Sequence, residues 1–334
     1  LLVVADFFTS QVFNNKGNGT FTCTTSVWGA GLDSNGMGNT TGDFNNDGRV
    51  DWYVTSRISA DDGSGNMLYL NTGGSFAESS VPAGVNWGDW GWGTDAVDFN
   101  HDGWLDIVAT NGFMGGFYET DPTHLWISQQ DPNCQFVDEA AATGLVHTLQ
   151  GRGLVTFDAD NDGDRDVVIA SNNQPLVYFR NDLTGADIGA ITLLFDTLYE
   201  PTLAPDGVGT RATLDAGGAT QVRYLDGGCN FQSQSELSLH FGIGPAAAAD
   251  EIRIRWADGE EETLVGVEPG RYTITARHGC PVDWVRDGVL DLSDITGWAG
   301  AFAAHHPQAD MNRDGVFDLA DVQLFVSGFA SGCP

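Results

Sequence analysis

Five short acidic loops carry the residue types best suited to chemistry in this chain. Asp43-Phe-Asn45-Asn-Asp47-Gly48-Arg-Val-Asp51, Asp98-Phe-Asn100-His-Asp102-Gly103-Trp-Leu-Asp106 and Asp158-Ala-Asp160-Asn-Asp162-Gly163-Asp-Arg-Asp166 recur through the first half, and two more loops begin at Asp283 and Asp310. Side-chain oxygens at the first, third and fifth positions, followed by Gly at the sixth, open a calcium loop. Calcium is a hard cation that takes about 6–8 oxygens, and the Gly permits the sharp turn that gathers them. Ca2+ is therefore the expected cofactor, in a structural role.

No catalytic motif accompanies these loops. HExxH, GxSxG, phosphate-loop and dinucleotide glycine patterns are absent, and the seven His are scattered. His101 falls at the fourth position of a loop, where a side chain is expected to face solvent, and His305-His306 reads as a surface turn. Trp87-Gly-Asp-Trp90-Gly-Trp92-Gly reads either as the packed innermost strand of a blade or as a sugar-stacking platform. A lyase would need a base in a groove, and the single Lys, Lys16, sits in a turn.

The elements that position the loops must be largely β. The chain has 334 residues, 44 of them Gly, and shows little helix-period patterning before its end. Its formal net charge of −32 argues against nucleic-acid partners and anionic membrane surfaces. The acid excess is carried by 36 Asp against 10 Glu, the preference of tight ligand loops and turns. No run of 18 apolar residues exists, so no helical membrane span is expected. The five Cys, at 23, 134, 229, 280 and 333, show no zinc spacing. Cys280 and Cys333 bracket the last two loops and are expected to be bridged, which suggests an oxidising, extracellular or cell-surface location. The start lacks both Met and a visible signal peptide and is read as truncated or processed.

The first half is an internal repeat. Each loop is followed by an apolar run (Trp52–Thr55, Ile107–Thr110, Val167–Ala170), a second strand (Leu68–Asn71, Leu125–Ser128, Val177–Arg180) and a third centred on Phe76 or Phe136. Gly84-Val85 and Gly144-Leu145 precede the next unit. Several short strands at a period of 55 and then 60 residues read as β-propeller blades. Leu2–Ala5, Val12–Asn14 and Phe21 fit the same register, so further blades are expected upstream of residue 1. The pattern Asp-x-Asn/Asp-x-Asp-Gly-x-x-Asp between apolar strands resembles the FG-GAP/VCBS repeat of integrin-type propellers. That resemblance implies calcium ligands at Asp43, Asn45, Asp47, Asp51 and the Arg49 carbonyl. It implies equivalent sets at Asp98, Asn100, Asp102, Asp106 and the Trp104 carbonyl, and at Asp158, Asp160, Asp162, Asp166 and the Asp164 carbonyl.

After Asp182 the pattern changes. Ile252, Ile254 and Trp256 alternate with Glu251, Arg253 and Arg255, and Asp258-Gly259 is a hairpin turn, so a small all-β domain with one solvated face is expected. Gly207-Val-Gly-Thr-Arg-Ala-Thr213, Phe231-Gln-Ser-Gln-Ser235, His240-Phe-Gly-Ile-Gly244 and Ile254-Arg-Trp-Ala-Asp-Gly259 resemble the ASPIC/UnbV domain of the cartilage acidic protein family.

The last two loops are twelve residues long, lie 27 residues apart and each run into a helical pattern. Leu292, Ile295, Ala299 and Phe302 are expected on one face, as are Leu319, Val322, Val326 and Phe329. This duplicated loop-helix unit resembles a type I dockerin, which binds cohesin domains. The resemblance implies ligands at Asp283, Asp287, the Val289 carbonyl, Asp291 and Asp294, and at Asp310, Asn312, Asp314, the Val316 carbonyl, Asp318 and Asp321. Val285 offers no side-chain oxygen at the third position of the first loop, so that site is expected to be the weaker.

The expected organisation is a mainly β chain. Propeller blades occupy 1–182, an ASPIC/UnbV-like β domain 183–277, and a small helical dockerin-like module 278–334. The expected function is a secreted, calcium-binding, non-enzymatic adhesion or binding scaffold. A cohesin-type or other protein partner would bind the tail, and a glycan or protein ligand the propeller. Because dockerins usually carry carbohydrate-active modules, the alternative is part of a polysaccharide-degrading lyase or glycoside hydrolase.

Overall fold

The computed structural model describes residues 1–58, 64–185, 187–277 and 279–332, the side chain of residue 117 apart. Residues 1–100, 104–184 and 228–236 form one compact unit; residues 101–103, 185–227 and those from 237 onward form the other.

The first unit consists of four small antiparallel sheets, none closed on itself. The first sheet has β1 (Leu2–Val3), β2 (Gln11–Asn15) and β3 (Phe21–Cys23), followed by helix α1 (Thr25–Trp28). The second has β4 (Asn39–Gly42), β5 (Asp51–Val54), β6 (Met67–Asn71) and β7 (Phe76–Glu78), followed by α2 (Ser80–Ala83). The third has β8 (Gly91–Val97), β9 (Asp106–Asn111), β10 (His124–Ser128) and β11 (Phe136–Asp138), followed by α3 (Ala140–Thr143). The fourth stops after β12 (Gly151–Phe157), β13 (Asp166–Ser171) and β14 (Val177–Phe179). This repetition is that of a propeller-like fold.

The strands after the loops are apolar on both faces because each lies between two cores. Trp52 and Val54 pack toward Val12, Tyr69 and Phe76, while Tyr53 packs toward Phe44, Ile107, Trp126 and Phe136. A third core joins Phe99, Leu125 and Leu145 to Leu154, Val167 and Ile169. The innermost strands were not legible as apolar runs, because close backbone approach there selects small residues. A Cβ at Gly93 would sit 2.6 Å from the Arg152 carbonyl oxygen.

Residues 228–236 belong to this unit although they lie within the ASPIC/UnbV-like stretch. Asn230 accepts from the Thr94 amide (3.0 Å) and donates to the Leu154 carbonyl. The Ser233 and Ser235 hydroxyls accept from the amides of Leu154 (3.2 Å) and Thr156 (3.0 Å). The Phe231–Ser235 motif thereby satisfies inner-strand edge groups that would otherwise lack partners.

In the second unit, one sheet orders β18 (Leu239–Gly244), β15 (Gly189–Asp196) and β21 (Gly270–Thr275). The other orders β17 (Ala219–Tyr224), β16 (Arg211–Ala216), β19 (Ala249–Arg255) and β20 (Glu261–Val267). Among the described residues only β15 and β21 run parallel. Ile191, Phe241, Ile252, Ile254 and Trp256 share one core, and the Asp258-Gly259 turn joins β19 to β20.

Helices α4 (Leu292–Ala303) and α5 (Leu319–Ser331) follow. Trp298 and Phe325 stack at 4.3 Å over Val282 and Ala309. The Gln308 amide ties this small core to β21, accepting from the Thr275 amide (3.1 Å) and donating to its carbonyl (2.8 Å). The buried helix face matches the expected one in part: Phe302, Val322 and Phe329 pack against this core, but Ile295 and Val326 are exposed. Leu292 and Leu319 are 70% and 66% exposed, and the aromatic side chains one turn or more further along, Trp298 and Phe325, take the core positions. Cys280 is disulfide-bonded; its expected partner, Cys333, lies outside the described residues.

Candidate metal centres

All five loops share one backbone device. Their fourth residues, Asn46, His101, Asn161, Arg286 and Arg313, have φ between 53° and 60°. Their sixth, Gly48, Gly103, Gly163, Gly288 and Gly315, have φ between 78° and 99°. Two left-handed residues spaced by one curl the chain so that its amides turn toward the first carboxylate. The Asp43 carboxylate accepts from the amides of Asp47 (2.9 Å) and Gly48 (2.8 Å). Asp158 repeats this with Asp162 and Gly163, both at 3.2 Å. The Gly288 amide reaches Asp283 at 3.0 Å and the Gly315 amide reaches Asp310 at 2.8 Å.

In the blade loops the ninth residue is sunk in the sheet. Asp51, Asp106 and Asp166 are at most 1% exposed. One oxygen of each accepts from the second loop residue: Phe44 (3.0 Å), Phe99 (2.9 Å) or Ala159 (2.9 Å). The other accepts from an amide at or just past the end of the neighbouring strand: Asn71 (2.7 Å), Ser128 (2.8 Å) or Asn181 (2.8 Å). These bonds fix Asn71, Ser128 and Asn181 as equivalent positions. Burial, with Asp43 and Asp47 nearby, pushes the Asp51 carboxyl up to about 7.

The tail loops use the ninth residue otherwise. Asp291 and Asp318 are helix N-caps, accepting from the Ser293 and Ala320 amides at 2.7 Å in capping boxes with Asp294 and Asp321. The twelfth residues, Asp294 and Asp321, are fully buried and reach back to the loop start at Val285 (3.0 Å) and Met311 (2.8 Å).

The donor set fits calcium. Carboxylate oxygens of Asp158, Asp160 and Asp166 lie within 4.8 Å of one another. Asp283 Oδ1 is buried and has no hydrogen-bond partner among the described residues, an orphaned anionic oxygen at the first position of its loop. Hard oxygen donors in excess of nearby cations select a hard divalent ion. In the fifth loop Asn312 and Asp314 also face one another, the Asn312 amide donating to Asp314 at 2.8 Å. Val285, at the corresponding third position, offers only an apolar side chain, 38% exposed.

Two features had no sequence signal. His101 is 1% exposed rather than solvent-facing, its Nδ1 2.7 Å from the Ile188 carbonyl oxygen within the second unit. His124 Nδ1 lies 2.6 Å from Asp138 and Nε2 3.4 Å from Asp89, with its ring stacked on Trp126. Burial opposes its charge, but the two carboxylates outweigh it and lift the imidazole to about 9. Asp121, beside Asp89, is raised to about 6 by burial and that neighbour.

Trp90 and Trp92 of the tryptophan cluster are half-buried. Trp90 stacks on Phe113 at 4.0 Å, and the Arg152 guanidinium lies 4.0 Å over Trp92. Only Trp87 stands out, 68% exposed.

Residues 2–54 and 58–109 match the FG-GAP-like repeat family, and residues 201–279 match the ASPIC and UnbV family. Cartilage acidic protein 1 of Mus musculus is 26% identical over 262 residues, covering 75% of this chain and 38% of that protein. The Xenopus tropicalis and Homo sapiens proteins of the same name are each 25% identical over 267 and 269 residues, again covering 75% of this chain. The chain thus spans under two-fifths of the length of these relatives. It carries FG-GAP-like repeats followed by an ASPIC and UnbV segment, with homology to cartilage acidic protein 1.

Proposed function

We propose that this chain is an extracellular, calcium-stabilised binding scaffold without catalytic activity of its own, anchored through its C-terminal helices. The observation that carries the reading is the common left-handed pair at positions four and six of all five loops, which turns acidic side chains inward in sheets and helices alike. FG-GAP-like repeats and an ASPIC and UnbV segment fit an adhesion-type protein rather than an enzyme. Ca2+ would be held by the five loop sets, with the Val285 loop the weakest.

The tail supports a protein partner of the cohesin type. Val289 and Leu292 are 57% and 70% exposed, and their counterparts 27 residues on, Val316 and Leu319, are 54% and 66% exposed. Two equivalent apolar ledges beside two acidic loops form a duplicated surface suited to a protein ligand. A glycan or protein ligand of the blades completes the proposal.

Calorimetric titration of the purified chain with CaCl2 tests the first part: several equivalents bound with measurable heat are expected, and no heat overturns it. For the tail, Leu292→Ser with Leu319→Ser is expected to abolish capture by cohesin domains while calcium binding persists. Release of unsaturated or reducing sugars from pectin or alginate by the chain would overturn the non-enzymatic reading.

A further inference from the structure

The outer face of the four-stranded sheet in the second unit carries charges in an order that folding alone does not favour. The registers of β17, β16, β19 and β20 align its residues in rows across the sheet. One row sets Asp215 opposite Glu251. Another runs Tyr224, Arg211, Arg255 and Glu261. Each row therefore places two like charges directly opposite one another, with Cβ atoms about 5 Å apart, an arrangement that destabilises a sheet. The basic pair is the more unexpected, since the chain has 14 basic residues against 46 acids.

The two pairs are compensated differently. Arg253, on the same face, bridges the acidic pair: its guanidinium donates to Glu251 and, at 2.9 Å, to Asp215. The basic pair has no such bridge. Arg211 is half-buried and stacks over the Tyr224 ring, 5.7 Å from its centroid, a cation–π contact that holds the guanidinium in place. Its Nε is buried without a hydrogen-bond partner, and its side chain makes no ion pair among the described residues. Arg255 is exposed, and its one ion pair among the described residues, with Glu261, is long at 3.9 Å. The acidic pair thus shows what the basic pair lacks: one group of opposite charge between two like ones.

We propose that Arg211 and Arg255 form a binding site for a single carboxylate, carried by a sugar acid within a glycan. Two guanidinium forks on adjacent strands match the two oxygens of one carboxylate. The net charge of −32 repels a polyanionic chain, so the ligand's charge is isolated in an otherwise neutral oligosaccharide. The surrounding surface disfavours a protein partner: among the described residues from 200 to 284, no large hydrophobic side chain is exposed. Arg211 and Arg255 come from the Gly207–Thr213 and Ile254–Gly259 motifs, which neither the acidic loops nor the blades account for. The site lies on the second unit and does not depend on the ligand proposed for the blades.

The test is calorimetric titration of the full chain, in Ca2+-containing buffer, with a trisaccharide of two neutral sugars and one glucuronic acid, and with the methyl ester of the same trisaccharide. Saturable binding of the acid is expected, with the ester weaker by about tenfold or more. Arg211→Gln and Arg255→Gln should each weaken binding of the acid by about fivefold or more. Either variant should leave the melting temperature unchanged or raise it, because it removes a like-charge repulsion. Glu261→Gln should tighten binding by removing the competing carboxylate. Absence of binding, or equal binding by the ester, overturns the site. Melting temperatures lowered by both Arg variants with binding unchanged would show the pair to be structural and overturn it as well. Preferential binding of an acetylated Gly-Glu-Gly amide over the trisaccharide would overturn the sugar acid in favour of a protein carboxylate.

Discussion

The three blade loops and the two tail loops begin alike and finish differently. In the blades, the ninth-position Asp is buried and bonded to two strands, so the loop stitches the sheet in which it sits. In the tail, the ninth-position Asp caps a helix, and the buried acid has moved to position twelve, inside the first helical turn. One curled backbone can therefore serve two supports. In the blades, apolar cores pack on either side of the strands, a support independent of the loops. Among the described residues the tail core has four buried apolar side chains, so its order is expected to lean on its loops and its disulfide.

The strongest test of that contrast is calcium removal. Each site held about a hundredfold above its Kd contributes ~2.7 kcal/mol, so EGTA should lower the melting temperature steeply. The helical signal of α4 and α5 should disappear before the blade transition; an unchanged melting curve, or loss of the blades first, would break the comparison. Next, Trp298→Ala should cost about 3–5 kcal/mol. Hydrogen exchange should report the loss across 292–331 alone, whereas Trp52→Ala should open the blades.

pH should divide the regions by sign. His124, paired with Asp138 and Asp89 and near Asp121, is raised to about 9 from an ordinary value of about 6.5. Its contribution is complete below about 6.5 and is lost as pH rises through about 9, worth at most about 3 kcal/mol. His306, lowered by burial with Arg277 nearby, has the opposite sign: its contribution is complete above about 6.5 and is lost as pH falls through its lowered value. Stability curves of His124→Gln and His306→Gln should each flatten only their own limb. The smallest effect lies within the tail. Asp314→Ala should reduce calcium-dependent stability by about 1 kcal/mol more than Asp287→Ala, because Val285 already leaves the first loop short of an oxygen. Equal losses would show that Val285 costs that loop nothing.

The loops and the strands that follow them were legible because their signals are local: an Asp/Asn/Gly spacing, then four apolar residues buried on both faces. The inner strands β4 and β12 were not, since tight approach replaces apolar runs with Gly and Thr, and β8 was signalled only by the Trp90-Gly-Trp92 cluster, as one of its two readings. Strand β20 begins Glu261-Glu-Thr and hides its buried Leu264 and Val267 among charges. Helical spacing found α4 and α5 and placed Phe302, Val322 and Phe329 correctly against the core, but missed Trp298 and Phe325, which outweigh the exposed Leu292 and Leu319 in packing area. The His124 cluster joins residues from Asp89 to Asp138, and no spacing rule connects them.

The placement of Asn230–Ser235 along the inner strands has a consequence for synthesis. Leu154 must wait for Ser233, 79 residues later in the chain, and Thr94 for Asn230, 136 residues later. At roughly 5–20 residues per second, the inner edges of β8 and β12 meet only water for several seconds as the nascent chain emerges. The blades are therefore finished by a segment translated long after them. A polypeptide stopped near residue 182 would keep its loops and lose the closing stitch.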